Sequence, residues 1–177
     1  MGPALIDATP LALDSPRWSS LRQAYGAADD VPRLIAALAE VDDEAGRAEL
    51  WFALWRMLWR SDAVFDAAYA AVPHLLALTA PLPLAERVQA MHLALRVELL
   101  RRGPTAPPMP ADLVAAYGTA IESLPAAVHG CAAEPWSADV AQILAAALLV
   151  GKRQAGLAGE VLGMGEGDEE RGTRNER

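Results

Sequence analysis

Apolar residues recur along this chain at three- and four-residue spacing, and proline and glycine divide the recurrences into blocks. Ser15-Pro16 opens the first block. Asp14 or Ser15 is placed to cap it, Pro16 suits its first turn, and Trp18, Leu21 and Tyr25 follow at helical spacing until Gly26. Asp29 or Asp30 caps the second, where Leu34, Ile35, Leu38 and Val41 make one stripe. Asp42, Asp43 and Glu44 head the third, a position where acids complement the helix dipole, and it is expected to run to about Arg60. The fourth is expected from Ser61 or Asp62 to about Ala80, and the fifth from about Leu84 to Arg102. Four prolines between Gly103 and Pro110 predict a loop. The sixth block spans about Ala111 to His129 with a bend at Pro125, and the seventh starts near Ser137 and fades after Gly156. Residues 1–162 thus predict a single helical domain, and 163–177, Gly- and charge-rich without periodicity, a disordered tail.

The width of the apolar faces refines this picture. On a helical wheel, Leu50, Trp51, Phe52, Leu54, Trp55, Met57, Leu58 and Trp59 cover well over half the third helix, leaving a narrow strip of Glu49, Ala53, Arg56 and Arg60. A surface helix needs an apolar stripe of only about 100°. The third helix therefore requires cover from two sides, with Trp55 in the core alongside Trp51, Leu54 and Leu58. The fifth shows two apolar flanks, Leu95 with Leu99 and Leu93 with Val97 and Leu100, around a charged strip of Arg87, Glu98, Arg101 and Arg102. Both a closed bundle and an open stack of helix pairs place neighbours on two sides of a helix. Alanine and leucine dominate the composition while β-branched residues are sparse, so the fold class is all-α, with about seven helices and no predicted strand.

Charge and reactive residues narrow the function. Hydrophobic residues make up 53% of the 177 and charged residues 21%, as a globular chain requires. One cysteine excludes a disulfide framework and a cysteine-built metal site, and three scattered histidines argue against a histidine-built one. The net charge of −8 argues against nucleic acid as a partner. The longest apolar run, Val140 to Gly151, falls short of the roughly 20 residues a membrane span needs. No targeting segment opens the sequence, so a cytoplasmic location is expected, with Cys131 a packed thiol. Arginine outnumbers lysine 14 to 1, which suggests a high-GC bacterial source.

The stretch Glu49–Leu76 carries Phe65, Ala67, Ala68, Tyr69, Ala70, Ala71, Pro73 and Leu75 in the order aromatic, small pair, aromatic, small pair, proline, leucine. It resembles bacterial HEAT-like α-solenoid proteins, as does Trp18-Ser-Ser-Leu-Arg-Gln-Ala-Tyr-Gly-Ala-Ala-Asp-Asp-Val-Pro. Such proteins often have Gln-Gly at the inter-helix turn, where this chain has Arg60-Ser61. The resemblance covers the first half of the chain. It implies helices stacked as antiparallel pairs in a short HEAT/armadillo-like α-solenoid and, because some such proteins are thought to be immunity proteins beside toxins, protein binding.

No catalytic constellation stands out. Cys131 and His129, two apart, point in different directions on a helix, and the glycines near 156–167 follow no strand. No cofactor and no metal are expected. Trp51, Trp55 and Trp59 at i, i+4, i+8 read as a helix–helix core in preference to a stacking platform. On the fourth helix, Val64, Ala68, Ala71, Val72, Leu75 and Leu78 form the expected core face, and Asp62, Asp66, Tyr69 and Pro73 the opposite strip. Asp62, Asp66 and Tyr69 are one candidate contact surface, since tyrosine is enriched at interface hot spots. Asp42, Asp43 and Glu44, near Asp29 and Asp30, are a second. The 18 acids and 12 bases before Gly163 leave that part at −6, which favours a basic protein partner. The sequence thus reads as a non-catalytic interaction module, and the resemblance implies an acidic immunity-type protein that binds and neutralises a basic partner such as a bacterial toxin. The alternative is a small hydrolase or lyase using carboxylates in a solenoid groove.

Overall fold

Helix α3, Asp66–Thr79, occupies the centre of the structure, a computed structural model that describes residues 8–164. Its residues Ala67 to Pro73 are buried without interruption, so no face of the two turns after the half-buried Asp66 meets solvent. Four alanines in that run let neighbours approach closely from every side. Around it pack α1, Val31–Glu40; α4, Leu84–Leu100; α5, Val114–Glu122; and strand β1, Arg22–Gln23. Helix α2, Glu44–Leu58, lies beside α1 at the margin, and α6, Leu124–His129, α7, Ala138–Gly151, and α8, Ala155–Val161, complete the far side. The protein is mostly helical, as the composition predicts. The tail expected from 163 lies outside the described residues beyond Met164.

Local chemistry sets the element ends. Asp43 caps α2 by accepting from the Gly46 amide at 2.7 Å, and Ser137 caps α7 by accepting from the Val140 amide. Gly151 is where α7 crosses α6: a Cβ there would lie 2.4 Å from the Pro125 ring.

Two expected helical stretches are hairpins. The first block is a 3-10 turn, Pro16–Ser20, followed by β1 paired antiparallel with β2, Gly26–Ala27. Gly26 has φ +143°, a conformation open to glycine and to few other residues. The Gln23 side chain is buried and bonds both the Tyr25 amide and the Ala27 carbonyl, so this segment satisfies its polar groups locally. The second hairpin joins β3, Trp59–Arg60, to β4, Ala63–Val64, through Ser61 and Asp62, which have φ +48° and +59°. Positive φ at both loop residues is the two-residue hairpin signature, so the helix start expected at Ser61 or Asp62 moves to Asp66. Asp66 accepts from the Arg22 amide at 2.5 Å, tying β1 to the start of α3.

One buried ion network fastens the centre. Glu98, expected in a charged surface strip, is 1% exposed. It accepts from Arg101 Nη2 at 2.8 Å, Arg102 Nη2 at 2.7 Å and the Tyr117 hydroxyl at 3.0 Å. Tyr117 packs edge-on against Tyr69 of α3, whose hydroxyl donates to the Pro107 carbonyl at 3.1 Å. Burial, with the Glu98 charge added, pushes the Tyr117 hydroxyl well above its ordinary value, so it stays a donor. Helices α3, α4 and α5 and the proline loop thereby share one polar anchor. Glu98→Ala leaves the buried Tyr117 hydroxyl without its acceptor, opens a hole in the core and frees two guanidiniums that reach solvent. It is expected to cost about 3 kcal/mol and to lower the melting temperature by about 6–12 °C; an unchanged melt would show that the network carries no net stability.

Candidate functional site

The exposed stripe of α2 is the most distinctive surface. Glu44, Ala48, Glu49, Phe52 and Arg56 recur along it at three- and four-residue spacing, all exposed. Phe52, at 63%, is the most exposed of the large hydrophobic residues described. The wide apolar arc on α2 is covered only in part, by α1 and the edge of α4. Trp51, Leu54 and Leu58 are buried, Trp55 is half-buried rather than core, and Phe52 meets solvent.

The first hairpin completes this surface. Ala24 donates its amide to the Met57 carbonyl at 2.9 Å, which sets Tyr25 beside the end of α2. The Tyr25 hydroxyl accepts from Arg56 Nη2 at 2.9 Å and Nε at 3.1 Å. The Arg56 guanidinium lies 5.4 Å from the Phe52 ring centroid and 5.9 Å from that of Tyr25, and Arg60 lies 5.3 Å from Tyr25. Among the described residues neither Arg56 nor Arg60 reaches a carboxylate. Two uncompensated cations and two exposed rings are thus held together by their own contacts.

The inner edge of α2 meets α4. Trp51 donates to a Glu86 carboxylate oxygen at 2.6 Å and Trp55 to the Gln89 amide oxygen at 3.1 Å. Trp55 packs edge-on against both Trp59 and His92, and Arg96 lies over Trp59. Two hollows of about 370 and 490 Å³ flank Gln89 here, one against Phe52 and Trp55, the other against His92 and Ile143. Burial and then the neighbouring Arg96 charge hold the His92 imidazole below its ordinary value.

The expected acidic sites separate. Asp42, Asp43 and Glu44 are all exposed and adjacent at the α2 N-terminus, and Asp43 also caps the helix. Asp62, Asp66 and Tyr69 form no strip. Asp62 sits exposed in the hairpin turn, Asp66 is half-buried against Arg22, and Tyr69 is 1% exposed. The reason is that α5 and the Pro107 loop cover the face of α3 that the wheel leaves to solvent. Tyr25 and Phe52 went unmarked in the sequence; the signal that points to them is Phe52 and Arg56 at i, i+4 on a helix with too wide an apolar arc.

The groove between α3, α4, α5 and α6 holds about 560 Å³. Alanines, Met91, Thr119 and Ser123 dominate its described lining, which includes Arg87 and no carboxylate. Arg87 is held by the Gly130 carbonyl and Glu134, while its Nε is buried without a partner. Cys131 is buried, its thiol against the Ala127 carbonyl and raised by desolvation, whereas His129 is exposed. Trp136 donates to the Cys131 carbonyl at 2.9 Å. Among the described residues no three potential ligands gather for a metal ion, and no helix is long and apolar enough to cross a membrane. No family model, curated protein or solved structure matches the chain.

The depressed His92 gives the α2–α4 seam a pH dependence. A folded-state value below the ordinary 6.5 or so means that the unfolded chain binds the proton more tightly. Stability is then present above that value and is lost as pH falls through the folded value. Melting should drop between neutral pH and about pH 5.5, and His92→Gln should drop less over this interval; equal losses would show that His92 does not carry the effect.

Proposed function

We propose that the protein is a non-catalytic protein-interaction module whose contact face is the exposed stripe of α2 together with Tyr25 and Arg60. One observation carries this reading: α2 has an apolar arc wide enough to need cover on two sides, and Phe52 and part of Trp55 are uncovered. Tyrosine, tryptophan and arginine are the residues that dominate binding energy at protein interfaces, and Tyr25, Trp55, Arg56 and Arg60 supply them here. The three acids Asp42, Asp43 and Glu44 end the same face. The helices are read as a short HEAT-like stack of antiparallel pairs. The contacts of α1 with α2, α3 with α4, and α7 with α8 support that arrangement.

The partner inferred from the sequence is a basic protein, such as a bacterial toxin neutralised by an immunity-type protein. The net charge of −8 and the acidic end of the face favour it, since opposite charge speeds association. The hydrolase or lyase alternative gains no support from the groove, whose described lining lacks a carboxylate. The test is a titration of the full chain against the product of the neighbouring gene. Phe52→Ser is expected to weaken binding about 30-fold, the loss of a hot-spot side chain of about 2 kcal/mol. Asp42→Lys with Glu44→Lys should slow association and flatten its salt dependence, with melting unchanged in both variants. Full-strength binding by both would remove this face from the reading.

A further inference from the structure

The contact face of α2 is ordered by charge, and this order is its own complement. Glu44 stands at the N-terminal end, Ala48 and Phe52 at the middle and Arg56 at the C-terminal end. Turned end over end about a point between Ala48 and Phe52, these four positions superpose acid on base and large on small, with Glu49 of each copy at the side of the contact. Residue 44 then faces 56, and 48 faces 52. We infer that this face takes a second copy of the same chain, α2 against α2 in antiparallel register, with Glu44 of each copy paired to Arg56 of the other and each Phe52 seated over the other's Ala48. The inference rests on the reading of this face as a contact surface and gives it a second copy, in place of the basic protein, as its occupant.

Three features support that choice. The two charges are spaced by twelve residues, about 18 Å along the axis and about 120° around it, so they stand at opposite ends and edges of a contact centred on Ala48 and Phe52, where their long side chains reach across. A twofold contact requires a self-complementary patch, which few single-helix stripes provide. Ala48 lines the hollow of about 370 Å³ beside Phe52, so an incoming ring meets a small side chain and open space rather than a bulky neighbour. Arg56 keeps Nη1 free of hydrogen bonds among the described residues while Nε and Nη2 hold Tyr25, so it is oriented before association. A basic partner would satisfy Glu44 and leave Arg56 unmatched; a copy of this chain pairs Glu44 and Arg56 together.

The test is sedimentation of the full chain across roughly 5–500 µM, the range in which an interface at the small end of the size scale dissociates. The wild-type chain is expected to pass from monomer to dimer. Glu44→Arg alone and Arg56→Glu alone should each weaken the dimer at least tenfold, because like charges then meet at both ends. An equimolar mixture of the two variant chains should dimerise again, since each supplies the charge the other lacks. That rescue also shows that both variants are folded. A wild-type chain that stays monomeric throughout overturns the second copy as occupant; if Phe52→Ser still abolishes binding of the neighbouring gene product, the contact face itself survives. A dimer indifferent to both substitutions places the contact elsewhere, and two weakened variants that fail to pair overturn the antiparallel register.

Discussion

Helix α3 is surrounded, and the placing of the other helices follows from that. A helix buried on every side must carry small side chains where neighbours approach and must leave no polar group unpaired. The alanines at 67, 68, 70 and 71 meet the first requirement. Tyr69 and Thr79 meet the second by donating to the Pro107 and Leu75 carbonyls. Proline at 73 lacks an amide and so asks for no partner there. With α3 enclosed by α1, α4, α5 and β1, the Trp-rich α2 is left at the margin, resting on α1 and on the edge of α4.

The Glu98 network makes that enclosure specific. A carboxylate at 1% exposure is tolerated because two arginines and a tyrosine hydroxyl converge on it. Arg101 also lies over the Tyr117 ring at 5.7 Å, so the cation is held by both the Glu98 carboxylate and the Tyr117 ring. Shifting α4 by one position against α5 would part Glu98 from the Tyr117 hydroxyl, while Arg101 and Arg102, one turn on in the same segment, would move with it. The network fixes register among α3, α4 and α5, which general hydrophobic packing leaves loose.

Helix existence was legible in the sequence wherever periodicity was long and ended by proline, glycine or an acidic cap, as for α1, α2, α4 and α7. Two hairpins were not. Trp18, Leu21 and Tyr25 fall at helical spacing, yet Trp18 and Leu21 are buried from a 3-10 turn and Tyr25 projects from a hairpin. Three residues are too few to separate the two periods. Ser61-Asp62 reads as a helix cap, and the positive φ that makes it a turn comes from strand pairing on both sides. Tyr69 and Glu98 show the deeper limit: a wheel orders the faces of one helix and says nothing of which neighbours cover them. The acidic residues at 42–44 were legible because capping is local, while the Tyr25–Arg56 contact joins two segments across 31 positions.

An apolar arc covered by α1 and the edge of α4 but left open at Phe52, with two arginines beside it that reach no described carboxylate, links the architecture to the function proposed for this chain. The central proposal is that the outer stripe of α2 is the contact face of this protein. Backbone amide chemical shifts recorded over a dilution series of the full chain test this most directly. The shifts are expected to move with concentration at Tyr25 and along Glu44 to Arg60, and to stay fixed around the α3–α6 groove at Ala77, Ala120 and Ala127. Shifts that move at the groove while α2 stays fixed would contradict the claim.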